Sequence, residues 1–217
     1  RPRKHPSLRG GTFAEGVLSG DPTPDGATLW TRLGDVEGSG TVELEVARDR
    51  GFRKVVANGL LRTGPSQAYS VKTRVVNLSP HREYWYRFVT RGSESPVGRF
   101  RTALPPDSRE PVRFAFFSCQ DYTFGHFNAQ ALLATEDVDF VVNLGDYIYA
   151  EAYHAANDGR GGIRTDPIGF SETLDQYRAK YALYRTDPAL RRMHSLFPMV
   201  SIWDDHEVQD NYAGGGG

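Results

Sequence analysis

The chain has 217 residues, enough for one large domain or two modest ones. Its composition is ordinary for globular domains, with 39% hydrophobic and 24% charged residues, and the net charge of −1 gives no electrostatic reason to expect nucleic acid as a partner. No apolar run approaches the roughly 20 residues that cross a bilayer. Residues 1–5 carry charges with no apolar stretch behind them, so no signal peptide is visible and we expect any exported protein to be in its mature form here.

The first part of the chain, residues 12–103, predicts β-structure. Several short runs alternate apolar and polar side chains with a period of two, as half-buried strands do. Turn-forming Asp, Pro, Gly and Ser separate these runs. The clearest runs are residues 41–46, 70–75 and 83–88, with a short candidate at 98–102. Many short strands without a convincing helix predict an N-terminal β-sandwich.

One corner of this region has a more specific pattern. Residues 78–80, followed by Tyr84, Tyr86 and Phe88, resemble the corner of a fibronectin type III domain. Trp30 and Trp85 are predicted to belong to the sandwich core, because large aromatic side chains usually supply packing there.

The second part of the chain begins after a predicted linker at residues 104–111, which holds three prolines and several charges. In residues 112–217, dense apolar strands alternate with helical segments. The predicted strands are 112–117, 139–144 and 199–203, and the predicted helices are 128–136 and two within 171–194, divided near Pro188. This alternation predicts an α/β sheet with both faces covered.

Each predicted α/β strand ends in potential metal ligands. Cys119 follows the first strand, Asp146 the second, and Asp204, Asp205 and His206 the third. Sites in α/β sheets form at the carboxyl ends of the strands, so we expect these groups to converge and to hold one or two metal ions. The alternative is that each Asp caps the following turn.

Two further residue types indicate which metal is involved. Tyr149 lies three residues after Asp146, where its phenol is either a ligand for a ferric ion or a packed loop aromatic, and spacing alone leaves both open. A thiolate from Cys119 suits a transition metal and not calcium. The mixed set of thiolate, carboxylate and phenolate favours iron.

Taken together, the motifs resemble the PhoD-like alkaline phosphatase/phosphodiesterase family. They follow the family order over nearly the whole chain. The matching segments are residues 16–24, 29–32, 117–120, 145–151, 177–185 and 203–208. The resemblance implies a multi-domain protein, with a fibronectin III-like β-sandwich followed by an α/β calcineurin-like metallophosphoesterase domain. It also implies Fe3+ with Ca2+ beside it, and export by the twin-arginine route to the extracellular space, the periplasm or the cell envelope.

The resemblance also implies the metal ligands. Carried over by motif, Cys119 and Tyr149 bind the ferric ion, Asp146 bridges it to a second metal, and Asp205 belongs to that second site. We further expect Asp210 and Asn211 to come within reach of the cations.

Catalytic roles fall on the same run of residues. By resemblance, His206 contacts phosphate or protonates the leaving oxygen, and Asp204 is a further ligand or orients His206. Arg160, Arg164 and Arg178 are candidates for substrate phosphate, although solvated surface charge is the simpler interpretation for each.

The predicted function is therefore that of a secreted, metal-dependent alkaline phosphatase or phosphodiesterase. A metal-bound hydroxide would attack a phosphate monoester or diester and, from a monoester, release inorganic phosphate. The alternative is a non-catalytic extracellular binding module with a β-sandwich. Family catalytic domains continue well beyond residues 210–212, so we expect the domain to be truncated here and the ligand set to be incomplete.

Overall fold

The computed structural model describes residues 7–151 and 162–213. Eleven strands are assigned there: β1 Val17–Thr23, β2 Gly26–Arg32, β3 Gly40–Ala47, β4 Val55–Thr63, β5 Ser70–Val75, β6 Glu83–Thr90, β7 Ser93–Glu94, β8 Gly98–Arg101, β9 Phe114–Phe117, β10 Phe140–Asn143 and β11 Met199–Ser201. The helices are α1 Asn128–Leu133, α2 Leu174–Tyr184 and α3 Pro188–Leu196, with 3-10 helices at Pro65–Gln67, Tyr122–Phe124 and Asp205–Glu207.

Strands β1 to β8 form two facing sheets, as the alternation predicts; residues 7–103 are called the sandwich part below. One sheet contains β5, β2 and β1, and the other contains β4, β3, β6 and β7, with β8 paired to β6. In β6 the side chains of Tyr84, Tyr86 and Phe88 all point into the core, and the Tyr84 ring stacks on Phe100 at 5.6 Å. Each such burial contributes about 1.5–3 kcal/mol to folding.

A tyrosine corner closes this core. The hydroxyl oxygen of Tyr84 accepts a hydrogen bond from the backbone N–H of Ser79 at 2.9 Å. The core prediction for Trp30 and Trp85 is wrong, because both indoles are only half-buried. The reason is the strand period of two: with Tyr84 directed inward, Trp85 must face the other side of the sheet.

The α/β part, residues 112–213, contains three parallel strands. Strand β10 pairs with β9 on one side and with β11 on the other. Helices α2 and α3 meet at Asp187, whose carboxylate caps α3 by accepting from the N–H groups of Ala189 and Leu190. Pro188 then occupies the first helical turn, where its missing N–H costs nothing. The predicted division of residues 171–194 into two helices is confirmed.

The two parts share one sheet. Strand β1 of the sandwich part pairs in parallel with β11 through Gly20 and Met199, giving a six-stranded sheet in the order β5-β2-β1-β11-β10-β9. Gly20 is required at this junction, because a Cβ there would lie 2.9 Å from the Met199 carbonyl oxygen. Arg101 and Asp139 add an ion pair of 2.7 Å between the parts. The sandwich part therefore fixes the orientation of β11.

One face of the β9–β11 sheet packs against Tyr184, Leu190 and Met193. On the opposite face the side chains of Phe114 and Phe116 are 54% and 66% exposed, and further apolar side chains there are Val200 and Ile202. The prediction that both faces are covered is therefore wrong for the described residues. The three helices of the α/β part and their flanking loops supply apolar partners for a single face.

Candidate metal centre

The candidate site lies at the carboxyl ends of β9, β10 and β11. Because these strands are parallel, the loops that leave them emerge at the same edge of the sheet. Two backbone hydrogen bonds join the first two loops, from Cys119 N–H to the Gly145 carbonyl at 3.4 Å and from Gln120 N–H to the Asp146 carbonyl at 3.1 Å. The 3-10 helix Asp205–Glu207 closes the site after β11.

Asp146, Asp205 and His206 form the group that can hold a metal ion among the described residues. Each offers one ligand atom, and these atoms all lie within 4.8 Å of one another. Asp146 is buried, while Asp205 and His206 are half-buried. The structure thus brings together one predicted bridging residue, one predicted second-site ligand and the predicted catalytic histidine.

Backbone strain coincides with the candidate ligands. Cys119 and Asp146 adopt left-handed conformations with φ of 55° and 52°, and Asn211 does so with φ of 59°. Such conformations cost about 1–3 kcal/mol for residues other than glycine and occur preferentially at functional sites.

Tyr149 lies against the group and not in the hydrophobic core. Its ring stacks on the His206 ring, with centroids 4.1 Å apart and planes inclined by 26°. Burial raises the pKa of the Tyr149 phenol far above its usual value, and the nearby Asp146 and Cys119 raise it further. A bound cation would reverse this effect, because it favours the ionised form of a ligating phenol.

A groove of about 350 Å³ lies beside the group, and both Cys119 and Tyr149 line it. The Cys119 thiol is exposed. Phe124, His126 and Phe127 line the groove together with Gln120, Asp121 and Gly125, and Phe124 is 63% exposed. The groove therefore offers an aromatic surface that runs up to the candidate ligands.

Glu151 holds the imidazole of His206. A carboxylate oxygen of Glu151 lies 3.1 Å from Nδ1 of His206 and also accepts from the Asp210 N–H at 2.6 Å. Partial burial lowers the pKa of His206, but the bond to Glu151 and the negative charges of Asp146, Glu151 and Asp205 outweigh it, so the net shift is upward. On the other side of the ring, Nε2 of His206 lies 3.8 Å from a carboxylate oxygen of Asp210.

The remaining predicted residues lie outside the group. Asp204 is exposed, and its backbone N–H donates to Glu207 at 2.8 Å. Arg164 is unsuited to binding substrate phosphate, because its guanidinium is bonded to Asp187 at 2.7 Å and lies over the Tyr122 ring. The side chains of Arg178 and Asp175 form a surface ion pair. Arg160 and residues 214–217 are outside the described residues.

Two acidic residues at the site were not predicted. Both are glutamates whose carboxylates face the candidate ligands. The carboxylate of Glu151 binds the imidazole of His206, and that of Glu207 binds backbone N–H groups. Glu207 directly follows His206, and Glu151 ends the segment 145–151. These positions beside the matched motifs are the sequence signal that could have identified them. Sequence spacing does not reveal which carboxylate meets a cation and which meets an N–H.

The donor set fits metal binding. Carboxylate oxygens suit a hard cation, whereas imidazole, phenol and thiol suit a transition metal such as iron, and all four types lie at this edge of the sheet. Fold and site together define a class of protein in which a β-sandwich is joined through a shared sheet to an α/β domain with an acidic, metal-ligating centre.

Comparison with known proteins identifies the family. Residues 2–104 match the family model for the PhoD-like phosphatase N-terminal domain, and residues 114–217 match the model for PhoD-like phosphatase. Alkaline phosphatase D of Bacillus subtilis (strain 168) is 41% identical, over 96% of this chain and 37% of its own length. The solved "Structure of PhoD" superposes with a TM-score of 0.85 at 40% identity, over 98% of this chain and 41% of the other. The chain belongs to the PhoD-like phosphatase family and spans about two fifths of the length of these relatives.

Proposed function

We propose that this chain is part of a secreted, metal-dependent phosphoesterase that hydrolyses phosphate monoesters or diesters. The observation that carries the proposal is the group Asp146, Asp205 and His206, with ligand atoms within 4.8 Å, at the strand ends of a PhoD-like phosphatase. The family match gives no support to the alternative of a non-catalytic binding module. No helix among the described residues is long and apolar enough to span a bilayer.

The domain boundaries proposed are a fibronectin III-like sandwich at residues 12–103, a linker at 104–111 and the first part of a calcineurin-like domain at 112–217. The tyrosine corner between Tyr84 and Ser79 supports the first assignment. The two family models, which end at residue 104 and begin at residue 114, support the division. Export by the twin-arginine route is inferred from the family resemblance.

For the metals we propose Fe3+ held by Cys119, Tyr149 and Asp146, with Ca2+ held by Asp146 and Asp205. Asp146 and Asp205 belong to the group, and Cys119 and Tyr149 line the groove beside it, which supports the assignment; family resemblance supplies the metal identities. When bound, the cations would supply Lewis acidity toward a phosphoryl oxygen and lower the pKa of water.

The chain's own residues then position the ester. Asp146 is buried and its backbone N–H is bonded to Glu207, which supports assigning its carboxylate to the cations. Glu151 holds Nδ1 of His206, and family resemblance assigns the imidazole to contact with a phosphoryl or leaving oxygen. We propose that the alcohol portion of the ester lies in the groove against Phe124, because the groove runs from the candidate ligands to this exposed ring.

The test is metal content and hydrolysis in the full chain, comparing the parent with Asp146→Asn. We expect the parent to retain iron through dialysis and to hydrolyse 4-nitrophenyl phosphate or its bis ester. The variant, which lacks one bridging charge, should lose both properties. Substitution of exposed Asp107 by Asn is the matched control. Full activity and full iron content in Asp146→Asn would contradict the bridging role.

His206→Ala separates the two roles open to the imidazole. A variant that keeps its metal and loses turnover supports contact with phosphate or the leaving oxygen. A variant that loses metal together with turnover assigns His206 to the ligand set, in agreement with its distance from both carboxylates.

A further inference from the structure

We infer that Glu207 is a positioning residue that fixes the candidate metal ligands by tying the loop after β10 to the 3-10 helix after β11. This inference rests on the proposed function, because it concerns the same centre. Glu207 does not belong to the group that could hold a metal among the described residues, and its side chain is directed at backbone N–H groups.

Three backbone donors converge on the Glu207 carboxylate. Oε2 accepts from the N–H of Asp146 at 3.0 Å and from the N–H of Asp204 at 2.8 Å. Oε1 accepts from the N–H of Tyr147 at 2.6 Å. Glu207 is only 9% exposed, so these bonds form away from water, where each charge-assisted bond is strong.

The contact acts on the strained part of the site. Asp146 is one of the site residues with left-handed φ, and Glu207 accepts hydrogen bonds from its N–H and from the next N–H along the chain. Two further hydrogen bonds join the same two segments. The Ala150 N–H donates to the His206 carbonyl at 2.8 Å, and the His206 N–H donates to the Asp146 carboxylate at 3.4 Å. Glu207 thereby fixes the backbone from which Asp146 projects, relative to the helix that carries Asp205 and His206.

A carboxylate is required at this position. All three partners are donors, and both oxygens of Glu207 accept. A glutamine has the same shape but replaces one oxygen with an NH2 group, which would face a backbone N–H. At least one donor would then lose its acceptor in a buried place, and the two loops would separate.

The decisive experiment compares Glu207→Gln with the parent in the full, iron-loaded chain. We measure the chelator concentration at which half of the Fe3+ is lost, by elemental analysis, together with the visible absorption expected of a ferric phenolate. We expect Glu207→Gln to release iron at about 10–100-fold lower chelator and to shift the absorption band, as loss of an outer-shell partner does. Glu136→Gln, an exposed change of the same chemistry, should match the parent.

Parental iron retention and an unshifted band in a folded Glu207→Gln variant overturn the inference. If that variant loses its native circular dichroism, Glu207→Asp takes its place, because it keeps the charge but cannot reach all three donors. Parental iron retention in Glu207→Asp overturns the inference equally. Failure of the parent and of Glu136→Gln to retain iron contradicts the proposed metal centre itself, which separates that failure from the failure of Glu207.

Discussion

The phenol oxygen of Tyr147 lies 2.7 Å from Nε2 of His194, and both side chains are buried in the core of the α/β part. Burial holds the pKa of His194 well below its usual value, and the positive charge of Arg185 lowers it further. Nδ1 of the same ring has no hydrogen-bond partner among the described residues. The core therefore contains a neutral imidazole, and no carboxylate among the described residues is bonded to it.

We predict that stability falls as the pH decreases below about 6.5, the pKa of histidine in the unfolded chain. The unfolded chain then binds a proton that the folded chain excludes, so unfolding is favoured by up to about 1.4 kcal/mol for each pH unit until the folded pKa is reached. His194→Gln should flatten this dependence. The measurement is urea unfolding at pH 7.5, 6.5 and 5.5, with exposed His126→Gln as the control. An equal pH slope in His194→Gln and the parent would exclude this role.

Gly145 is predicted to set the distance between the loops after β10 and β11. A Cβ there would lie 2.4 Å from the Cβ of Asp204, and φ is 104°. We expect Gly145→Ala to lower the free energy of unfolding by about 1–3 kcal/mol and to weaken iron retention. Gly38→Ala is a matched control, because Gly38 also has positive φ, of 71°, but nothing lies within 4 Å of its added Cβ. Similar effects of both changes on iron retention would show that backbone strain, and not the clash, is responsible.

The buried pair Lys180 and Asp166 is predicted to fasten the segment that precedes α2. Both side chains are nearly inaccessible, and Nζ of Lys180 also donates to the Gly169 carbonyl at 2.7 Å. Lys180→Met should cost about 3–5 kcal/mol, because it leaves the Asp166 carboxylate buried without a partner. Urea denaturation measures this loss, and adding Asp166→Leu should restore part of it. Lys72→Met on the surface is the control, and a Lys180→Met variant as stable as that control would refute the prediction.

Glu151 is predicted to act through the orientation of His206. Glu151→Gln should lower kcat by about 10–100-fold with a smaller change in KM, because the imidazole loses the partner that fixes its ring. Steady-state hydrolysis of 4-nitrophenyl phosphate checks this split. Glu172→Gln, on the surface before α2, should have no effect. A change confined to KM in Glu151→Gln would instead indicate a role in binding substrate.

The local patterns of the sequence predicted the three helices and part of the strands, whereas β1, β2, β4 and β7 were not predicted individually. Period-two alternation located β3, β5 and β6, and the pair Asp187–Pro188 marked the start of α3. Potential ligands at the ends of consecutive strands predicted that Asp146 and Asp205 would meet. These predictions succeed because they depend on neighbours in the chain or on the fixed polarity of parallel strands.

The same patterns did not reveal relationships between distant segments. The pairing of Gly20 with Met199, which makes one sheet of the two parts, joins residues that no periodicity connects. Nor did they show that Trp30 would lie at the junction under Arg185, with the guanidinium 4.3 Å from the ring.

The order of residues along the chain specifies which chemical groups the protein has and at which strand ends they lie. Their partners depend on the folded arrangement: Glu207 binds three backbone N–H groups and Glu151 binds an imidazole, although both are the same residue type beside the matched motifs. This is because a carboxylate can bind a cation, an imidazole or an N–H group. The partner that a given carboxylate binds depends on which of these groups the packing of β10 against β11 brings within about 3 Å.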